Sequence, residues 1–325
     1  MRADEFLLVR DMFATFAART TPGTADVDTS TRADAQRALD ALGLHDLRRA
    51  ATPDATAQEC ALLAEAHGRQ PLCTSLLGTA LLAPELLRLT GVDGNDETLG
   101  RPTVALTRDL RFPRAQAREL VAWDSEGADG ALHVAADGTV TILPLGDAAP
   151  GIDLLRDIRA IPAGAPARNL GVLDTDDTRR WQAWALVMVS SELVGAAASF
   201  VDQAVGYARE RTQYGRPIGA FQAVQHMLAD ASVLVEACTS ATRYAAWSLD
   251  HEAPTTALTA ARVAKAEVDT SALEAVYTGM QVFGGIAQTW EHTAHLYLRR
   301  IRAGAATLAT TADLLSVLAE PETAR

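Results

Sequence analysis

The residues best suited to chemistry lie between Tyr207 and Asp230, where basic and aromatic side chains cluster in an otherwise acidic chain. The cluster contains Arg209, Arg211, Arg216, Tyr214 and Phe221. Arginine binds phosphate oxygens in a fork geometry, and an aromatic ring covers a base or a guanidinium. Gly215 and Gly219 let the backbone approach a ligand closely. The composition indicates a diphosphate or nucleotide contact. The alternative is a solvated helix end followed by an ordinary Gly/Pro turn.

The overall charge and cysteine content narrow the class of protein. The chain carries 29 basic and 41 acidic residues, a net charge of −12, so a nucleic-acid partner is not expected. Three cysteines form no CxxC pair and no metal spacing, which is typical of a reduced, cytoplasmic protein. Charges interrupt the N-terminal apolar run, and no uncharged apolar run reaches about 18 residues. Neither a signal peptide nor a membrane span is predicted.

The first half of the chain predicts two structural units. Residues 1–100 predict an N-terminal helical domain that ends in a Gly-rich linker at 91–100. Residues 101–175 predict a reduced middle β domain of short strands rich in β-branched residues, with a hairpin signal at Asp137-Gly138. The expected strands are 103–107, 119–123, 131–135, 139–145 and 169–174.

The second half, residues 176–325, predicts a C-terminal antiparallel four-helix bundle, because long apolar-periodic segments are joined by short turns. The expected helices are 178–211, 221–250, 256–283 and 291–318. The fold class is therefore mainly α with a small β domain.

Several stretches resemble acyl-CoA dehydrogenases. Residues 210–230, ERTQYGRPIGAFQAVQHMLAD, are similar to the family's run of an arginine, an aromatic-Gly, Pro-Ile and Phe-Gln before a helix. Residues 281–292, QVFGGIAQTWEH, resemble the family's Gln-x-Phe/His-Gly-Gly turn, and 261–268 and 65–87 are also similar. The chain is identified as a member of this family, resembling the shortened subunit of heteromeric (α2β2) enzymes.

The resemblance implies FAD as the cofactor, an acyl thioester as the substrate and an electron-transfer protein as the acceptor. Arg211 matches the arginine that reaches the FAD diphosphate, Tyr214 the aromatic residue beside it, and Gln222 a glutamine at the adenine end. The turn that contacts a neighbouring subunit's flavin is matched by Gln281, Gly284 and Gly285. FAD would then lie at a subunit interface, which implies an obligate oligomer.

The family's catalytic glutamate is missing from both positions at which members place it. The commoner position falls near Leu308, counted from the Gly-Gly turn, and the other falls near Ala185, counted back from Tyr207. A general base needs a carboxylate against the substrate's α-carbon, in a pocket that tunes its pKa. Glu192 is the closest acid and a weak catalytic candidate. Its alternative role is that of a buried partner for a nearby polar group.

Two further family features are absent. The Thr-x-Pro-Gly-Ala-Gly-Ser-Asp loop beside flavin and substrate survives only as VALTRD at 104–109. The Trp-Ile-Thr segment that stacks on the flavin ring is not recognisable. The resemblance therefore implies a subunit that holds the nucleotide half of FAD and lacks the groups that hold the ring and remove the proton.

Three hypotheses follow. The first is a subunit that dehydrogenates a CoA thioester, such as a steroid side chain, together with a second acyl-CoA dehydrogenase subunit. The second is a biosynthetic enzyme that acts on a carrier-protein thioester or in a redox-neutral step, assembled with itself. The third is a non-catalytic scaffold. No metal is predicted at His292 and His295. Arg299, Arg300 and Arg302 are expected on a solvated face or as salt-bridge donors at an interface, and a CoA phosphate site is the alternative.

Overall fold

The computed structural model describes residues 3–21, 26–92, 96–113 and 119–320 of the chain. Within them, one small mixed sheet lies in sequence between two helical regions, which confirms the predicted fold class. Residues 93–95 of the expected linker, and residues 1–2 and 321–325 at the outer limits of the expected domains, lie outside the described residues.

The N-terminal region consists of helices around a buried apolar core. Its helices are α1 (Ala3–Thr20), α2 (Thr29–Asp40), α3 (Ala57–Gly68) and α4 (Ala83–Leu89), the last directly preceded by a π-helical stretch (Leu76–Leu82). A capping box begins α3, because Thr56 accepts from the Glu59 backbone and Glu59 accepts from the Thr56 backbone. Most residues of α3 are buried, so this helix is packed on nearly every side.

The sheet has six strands in the order β5-β2-β1-β3-β4-β6. They are β1 (Pro102–Thr107), β2 (Leu120–Trp123), β3 (Gly130–Val134), β4 (Thr139–Leu143), β5 (Ile158–Ala160) and β6 (Arg168–Val172). Only β1 and β3 pair in parallel among these strands. The predicted hairpin at Asp137-Gly138 joins β3 to β4, and Gly138 takes a positive φ of 84°. Strand β5 was not predicted, because its three residues carry too short a pattern.

The C-terminal region contains the long helices. They are α5 (Thr175–Glu210), α6 (Gln222–His251), α7 (Pro254–Phe283), α8 (Ala294–Ala306) and α9 (Thr311–Ala319). The short strands β7 (Thr212–Gln213) and β8 (Arg216–Pro217) join α5 to α6. Helix α5 is long and apolar enough to cross a membrane, but 89% of that stretch is buried inside the protein, as in the core helix of a bundle.

The prediction of one helix over 291–318 is wrong. Helix α8 ends at Ala306, and α9 begins only after Thr310, whose side chain forms a capping box with Asp313. Between them Leu308 adopts a positive φ of 73°, which is incompatible with a continuing α-helix. The break is held by hydrogen bonds to a loop that follows β1, about 200 residues earlier in the chain.

Candidate functional site

The two segments that resemble cofactor-binding motifs meet at one end of the bundle. Because α5, α6 and α7 run antiparallel in turn, the end of α5, the start of α6 and the end of α7 share this end. The rings of Tyr207 on α5 and Phe283 on α7 lie 4.8 Å apart between centroids. We call this exposed surface, formed by 207–226 and 281–290, the bundle tip. It brings together all six residues matched to FAD contacts.

A tight hairpin presents the aromatic residue of the bundle tip. Tyr214 and Gly215 both have positive φ, 52° and 78°, as the two central residues of a type I′ turn require. Tyr214 is 94% exposed, and its ring meets the Phe221 ring edge-on at 6.2 Å. The Arg216 guanidinium lies 4.3 Å above the centre of the Phe221 ring. The hairpin thus presents a ring and a cation beside each other.

Arg211 and Gln222 flank the same hairpin. Arg211 ends α5 and Gln222 begins α6, and both side chains are exposed. Phe221, at the N-cap of α6, offers no side-chain oxygen to the first backbone N–H groups of that helix. A helix N-terminus of this kind favours an anion, and the neighbouring arginines add positive charge. The chemistry of this part of the tip fits a diphosphate.

The Gly-Gly turn forms the other side of the bundle tip. Gln281 is exposed on the last turn of α7, and Gly284 ends that helix with a φ of 67°. Gly285 has no positive φ, and no atom lies within 4 Å of where its Cβ would stand. Among the described residues, no contact therefore requires glycine at position 285.

Neither position matched to the family's base can act as one. Ala185 is buried in the core of α5, and Leu308 is 3% exposed. The Leu308 N–H donates to the carbonyl oxygen of Leu110 at 2.6 Å, and the Leu308 carbonyl accepts from the Phe112 N–H at 3.2 Å. An ion pair of 2.7 Å between Arg111 and Asp313 reinforces this contact. The loop after β1 is therefore clasped to the α8–α9 turn.

A cavity of about 470 Å³ lies beside this clasp, between the sheet and α8. Leu110 and Trp123 contribute to its largely apolar wall, together with the small residues Ala303 and Ala306. All three carboxylates that line it lie in ion pairs, Asp109 with Arg111, Glu119 with Arg108 and Asp153 with Arg300. Among the described residues that line the cavity, each carboxylate therefore has a basic partner.

Glu192 lies in a buried cluster of charges rather than on the cavity wall. Its carboxylate accepts from Arg156 and contacts His67 Nδ1 at 3.1 Å, while Arg300 lies 4.0 Å away. Burial raises the pKa of Glu192, but the guanidiniums of Arg156 and Arg300 outweigh it and hold that pKa below its ordinary range. A base of lowered pKa is a poor proton acceptor. These contacts match the alternative role of a buried partner.

The charge cluster spans all three regions of the fold. Arg156 also pairs with Asp124 at 2.6 Å and lies 4.4 Å above the Trp123 ring, while Arg300 donates to Asp153 at 2.9 Å. His67 contacts Thr74 Oγ1 at 2.9 Å through its other nitrogen. The expectation of a solvated or interface face is wrong for Arg300, which is 4% exposed and ion-paired within the chain. We call His67, Asp124, Asp153, Arg156, Glu192 and Arg300 the charge cluster.

Two glycines explain why Glu192 and His67 meet. Helices α3 and α5 cross so closely that a Cβ on Gly68 would lie 2.0 Å from the Glu192 carbonyl oxygen. A Cβ on Gly195 would lie 1.9 Å from the Glu65 carbonyl oxygen. Sequence reasoning did not find the cluster, although an acid and a histidine within apolar helices were a visible signal.

His292 and His295 lie just beyond the bundle tip in the sequence and pack on aromatic rings of that end of the bundle. His292 packs edge-on against Phe283 at 4.6 Å, and His295 stacks on Trp290 at 4.7 Å. Across the described ranges, no three His, Cys, Asp or Glu side chains are grouped as metal ligands. Both histidines therefore belong to the aromatic packing under the Gly-Gly turn.

The sequence also matches known proteins. Residues 184–315 match the family model described as "Acyl-CoA dehydrogenase, C-terminal domain". Over 270 residues the chain is 32% identical to "Acyl-CoA dehydrogenase IpdE2" of Mycobacterium tuberculosis (strain ATCC 25618 / H37Rv), which covers 75% of this chain and 83% of that protein. The chain belongs to the acyl-CoA dehydrogenase family. It is thus a flavoprotein oxidoreductase by family, with FAD as its cofactor.

Solved structures share this fold along nearly the whole chain. The Tcur3481-Tcur3483 steroid ACAD, G363A variant, superposes with a TM-score of 0.73 at 22% identity, covering 97% of this chain and 95% of that one. The FAD complex of PigA superposes with a TM-score of 0.79 at 16% identity, covering 98% and 97%. Identities this low show the fold alone. These superpositions agree with an acyl-CoA dehydrogenase fold, in which a sheet lies in sequence between two helical regions.

The residues of this chain fit one end of FAD better than the other. At the bundle tip, two exposed arginines, an N-terminus without a side-chain cap and an open glycine suit a diphosphate and a nearby base. At the clasp, the backbone N–H of Leu308 already donates to Leu110, and the Asp313 carboxylate is paired with Arg111. The fit is to the nucleotide half of the cofactor.

Proposed function

We propose that this chain is the FAD-holding partner subunit of a heteromeric acyl-CoA dehydrogenase, in which a second subunit supplies the catalytic glutamate. The observation that carries the proposal is Leu308. At the position matched to the base stands a buried aliphatic residue whose backbone N–H is closed onto Leu110. Proton abstraction needs a positioned carboxylate, so the base has to come from another chain.

The residues of the bundle tip have distinct roles in this proposal. Arg211, Arg216 and the N-terminus of α6 neutralise the FAD diphosphate, and Tyr214 and Gln222 lie beside its adenosine end. Gln281, Gly284 and Gly285 let the flavin of the second subunit approach the turn. Bound FAD supplies the hydride acceptor for α,β-dehydrogenation of the thioester. This chain orients the cofactor and excludes water from the interface.

A two-chain assembly is supported by a structural relative. The name of the Tcur3481-Tcur3483 steroid ACAD joins two proteins, and a chain of that structure shares this fold. By analogy, the substrate of the complex is a CoA thioester with a bulky acyl group such as a steroid side chain. The fully exposed ring of Tyr214 and the half-exposed Ile286 and Trp290 give the tip an apolar rim suited to a second subunit.

The test is to purify the chain alone and together with each acyl-CoA dehydrogenase-type protein encoded beside it. We expect the lone chain to be colourless and inactive on acyl-CoAs. The complex is expected to show flavin absorbance and thioester-dependent reduction of an electron acceptor. A lone chain that is yellow, monomeric and active would contradict the proposal. A complex that forms without FAD would favour a scaffold instead.

A further inference from the structure

The cavity between the sheet and α8 is large enough for an organic ligand. Its volume of about 470 Å³ lies within the range of about 300–1,000 Å³ that small-molecule sites occupy. Val121, Trp123 and Ile158 give it a buried apolar wall from β2 and β5. From α8, Ala303 and Ala306 contribute only methyl groups, so the helix leaves the space open. The cavity therefore suits a ligand with an apolar body.

The clasp fixes one side of this cavity. Leu110 lines the cavity, and its carbonyl oxygen accepts the hydrogen bond from the Leu308 N–H. Both leucines hold a positive φ, 61° and 73°, a conformation that persists only where surrounding contacts impose it. Strained backbone of this kind is concentrated at ligand-binding sites. The wall is therefore held in place by the chain's own contacts, and a ligand needs to order little of the chain when it binds.

Exposed charged side chains line the outer part of the cavity, and one of them lacks a counter-charge. Arg108 pairs with Glu119, and Asp109 lies 3.9 Å from Arg111. Arg302 of α8 also lines the cavity, and its side chain is exposed. The carboxylates of the lining are paired with other arginines, so among the described residues no ion pair engages Arg302. The cavity thus combines an apolar interior with one unpaired cation.

This charge pattern distinguishes between two kinds of acidic ligand. A CoA ester carries a diphosphate and a further phosphate, which need several cations. The cavity offers Arg302 together with the carboxylates of Asp109 and Glu119, which repel additional negative charge. Arg299, three residues earlier on α8, donates instead to the Ile152 carbonyl oxygen at 3.4 Å. A carboxylate brings one charge on two coplanar oxygens, which matches a single guanidinium.

We propose that this cavity binds an apolar monocarboxylate, whose hydrocarbon body lies between Trp123 and α8 and whose carboxylate pairs with Arg302. It is a binding site and not a second catalytic centre, since each carboxylate of the described lining already has a basic partner. None of its lining residues belongs to the bundle tip, so the inference does not depend on the FAD-holding role. A straight-chain fatty acid and a fused-ring acid share the chemistry that the cavity recognises.

Calorimetric titration of the full chain with four probes, each below its micelle concentration, tests the ligand class. The probes are decanoate, deoxycholate, decanol and decanoyl-CoA. We expect one acid to bind per chain, and decanol to bind about tenfold more weakly than decanoate because it cannot pair with Arg302. Binding of decanoate alone would identify a straight-chain ligand, and binding of deoxycholate alone a fused-ring ligand. If neither acid binds, or if decanol or decanoyl-CoA binds as tightly as the acids, the proposal is overturned.

Two variants place the ligand within the cavity. Arg302→Ala is expected to raise the dissociation constant of the bound acid about tenfold, whereas Arg180→Ala, an exposed arginine of α5, leaves it unchanged. Ala306→Phe fills the cavity and is expected to abolish binding, with thermal unfolding as the check of its fold. Equal affinity in Arg302→Ala and the unmodified chain would overturn the placement of the carboxylate, whether or not Ala306→Phe folds. If the complex with the second subunit lacks FAD while the chain still binds the acid, only the proposed function falls.

Discussion

Gly284 and Gly285 are adjacent, yet only one is required by the chain's own backbone. Gly284 has a φ of 67° and ψ of −140°, a region that is almost closed to other residues. We expect Gly284→Ala to lower the free energy of unfolding by about 1–3 kcal/mol. Gly285→Ala is expected to change it by less than about 0.5 kcal/mol, since open space surrounds its Cβ. Chemical denaturation of both variants measures the difference.

For FAD binding, in contrast to stability, Gly285 is expected to be the more sensitive of the two glycines. We expect Gly285→Ala to weaken FAD retention in the complex about fivefold, corresponding to about 1 kcal/mol for one lost close approach. The flavin-to-protein ratio after gel filtration measures it. If Gly285→Ala keeps its full flavin content, the Gly-Gly turn is only the end of α7.

Arg211 is the residue whose removal best tests the diphosphate contact. Its side chain is exposed, so Arg211→Ala leaves the fold intact while removing a charge-assisted bond. We expect FAD affinity of the complex to fall by about 2 kcal/mol, or some thirtyfold. Arg180→Ala, an exposed arginine in the first turns of α5, is the control. Unchanged flavin content in Arg211→Ala would contradict a cofactor-binding role for the bundle tip.

The bundle tip is predictable from the sequence because its residues are near one another in the chain. Arg211, Tyr214 and Gln222 lie within twelve positions, and the Gly-Gly turn is a local pattern. The charge cluster was not found, because Arg156, Glu192 and Arg300 come from distant segments that meet only in three dimensions. Burial of a charged side chain depends on partners that no local pattern reveals.

The clasp between the loop after β1 and the α8–α9 turn determines whether a mutation of Leu308 can restore a catalytic base. Leu308→Glu puts a carboxylate at the matched base position, but there the backbone is strained and bonded to Leu110. We expect no dehydrogenation by the lone variant and a loss of stability of about 2–5 kcal/mol from the buried charge. Thioester-dependent dye reduction and thermal unfolding measure both, with Leu308→Met as the control. Activity in Leu308→Glu would show that the clasp opens.

The break between α8 and α9 shows why helix ends are hard to predict here. The segment 291–318 has a helical pattern throughout, and Thr310 with Asp313 is its one local sign of a new start. Leu110 and Leu308 both take positive φ where they bond each other, 61° and 73°. Tertiary contact overrides local propensity at this point, and it does so beside the cavity.

The charge cluster joins the N-terminal helices, the sheet and the bundle into one unit. Removing the Glu192 carboxylate leaves the buried guanidiniums of Arg156 and Arg300 with less opposing negative charge. We expect Glu192→Gln to lower the free energy of unfolding by about 3–5 kcal/mol. We expect the rate per bound FAD in the complex to stay the same, because Glu192 faces Arg156 and His67 rather than the cavity. A loss of turnover at full flavin content would instead support Glu192 as the base.

Two buried carboxylates give the protein opposite responses to pH. Burial raises the pKa of Asp269 to about 6, although Lys265, the chain's single lysine, donates to it at 2.5 Å. The pKa of Glu192, in contrast, lies below its ordinary value of 4.5. Where the folded pKa is the higher one, the folded state binds the extra proton and stability falls as pH rises. Where the folded pKa is lower than the unfolded pKa, as for Glu192, the unfolded state binds the extra proton and stability falls as pH falls.

The difference between each variant and the unmodified chain should therefore change with pH in opposite directions. Relative to Asp269→Asn, the unmodified chain is expected to lose at most about 3 kcal/mol of unfolding free energy as pH rises from 3.8 to about 6. Relative to Glu192→Gln, the unmodified chain is expected to lose its higher free energy of unfolding as pH falls below 4.5. Denaturant titrations at a series of pH values measure both. Parallel curves for Asp269→Asn and the unmodified chain would mean that Lys265 holds Asp269 ionised, because a permanently paired carboxylate contributes no proton uptake in that window.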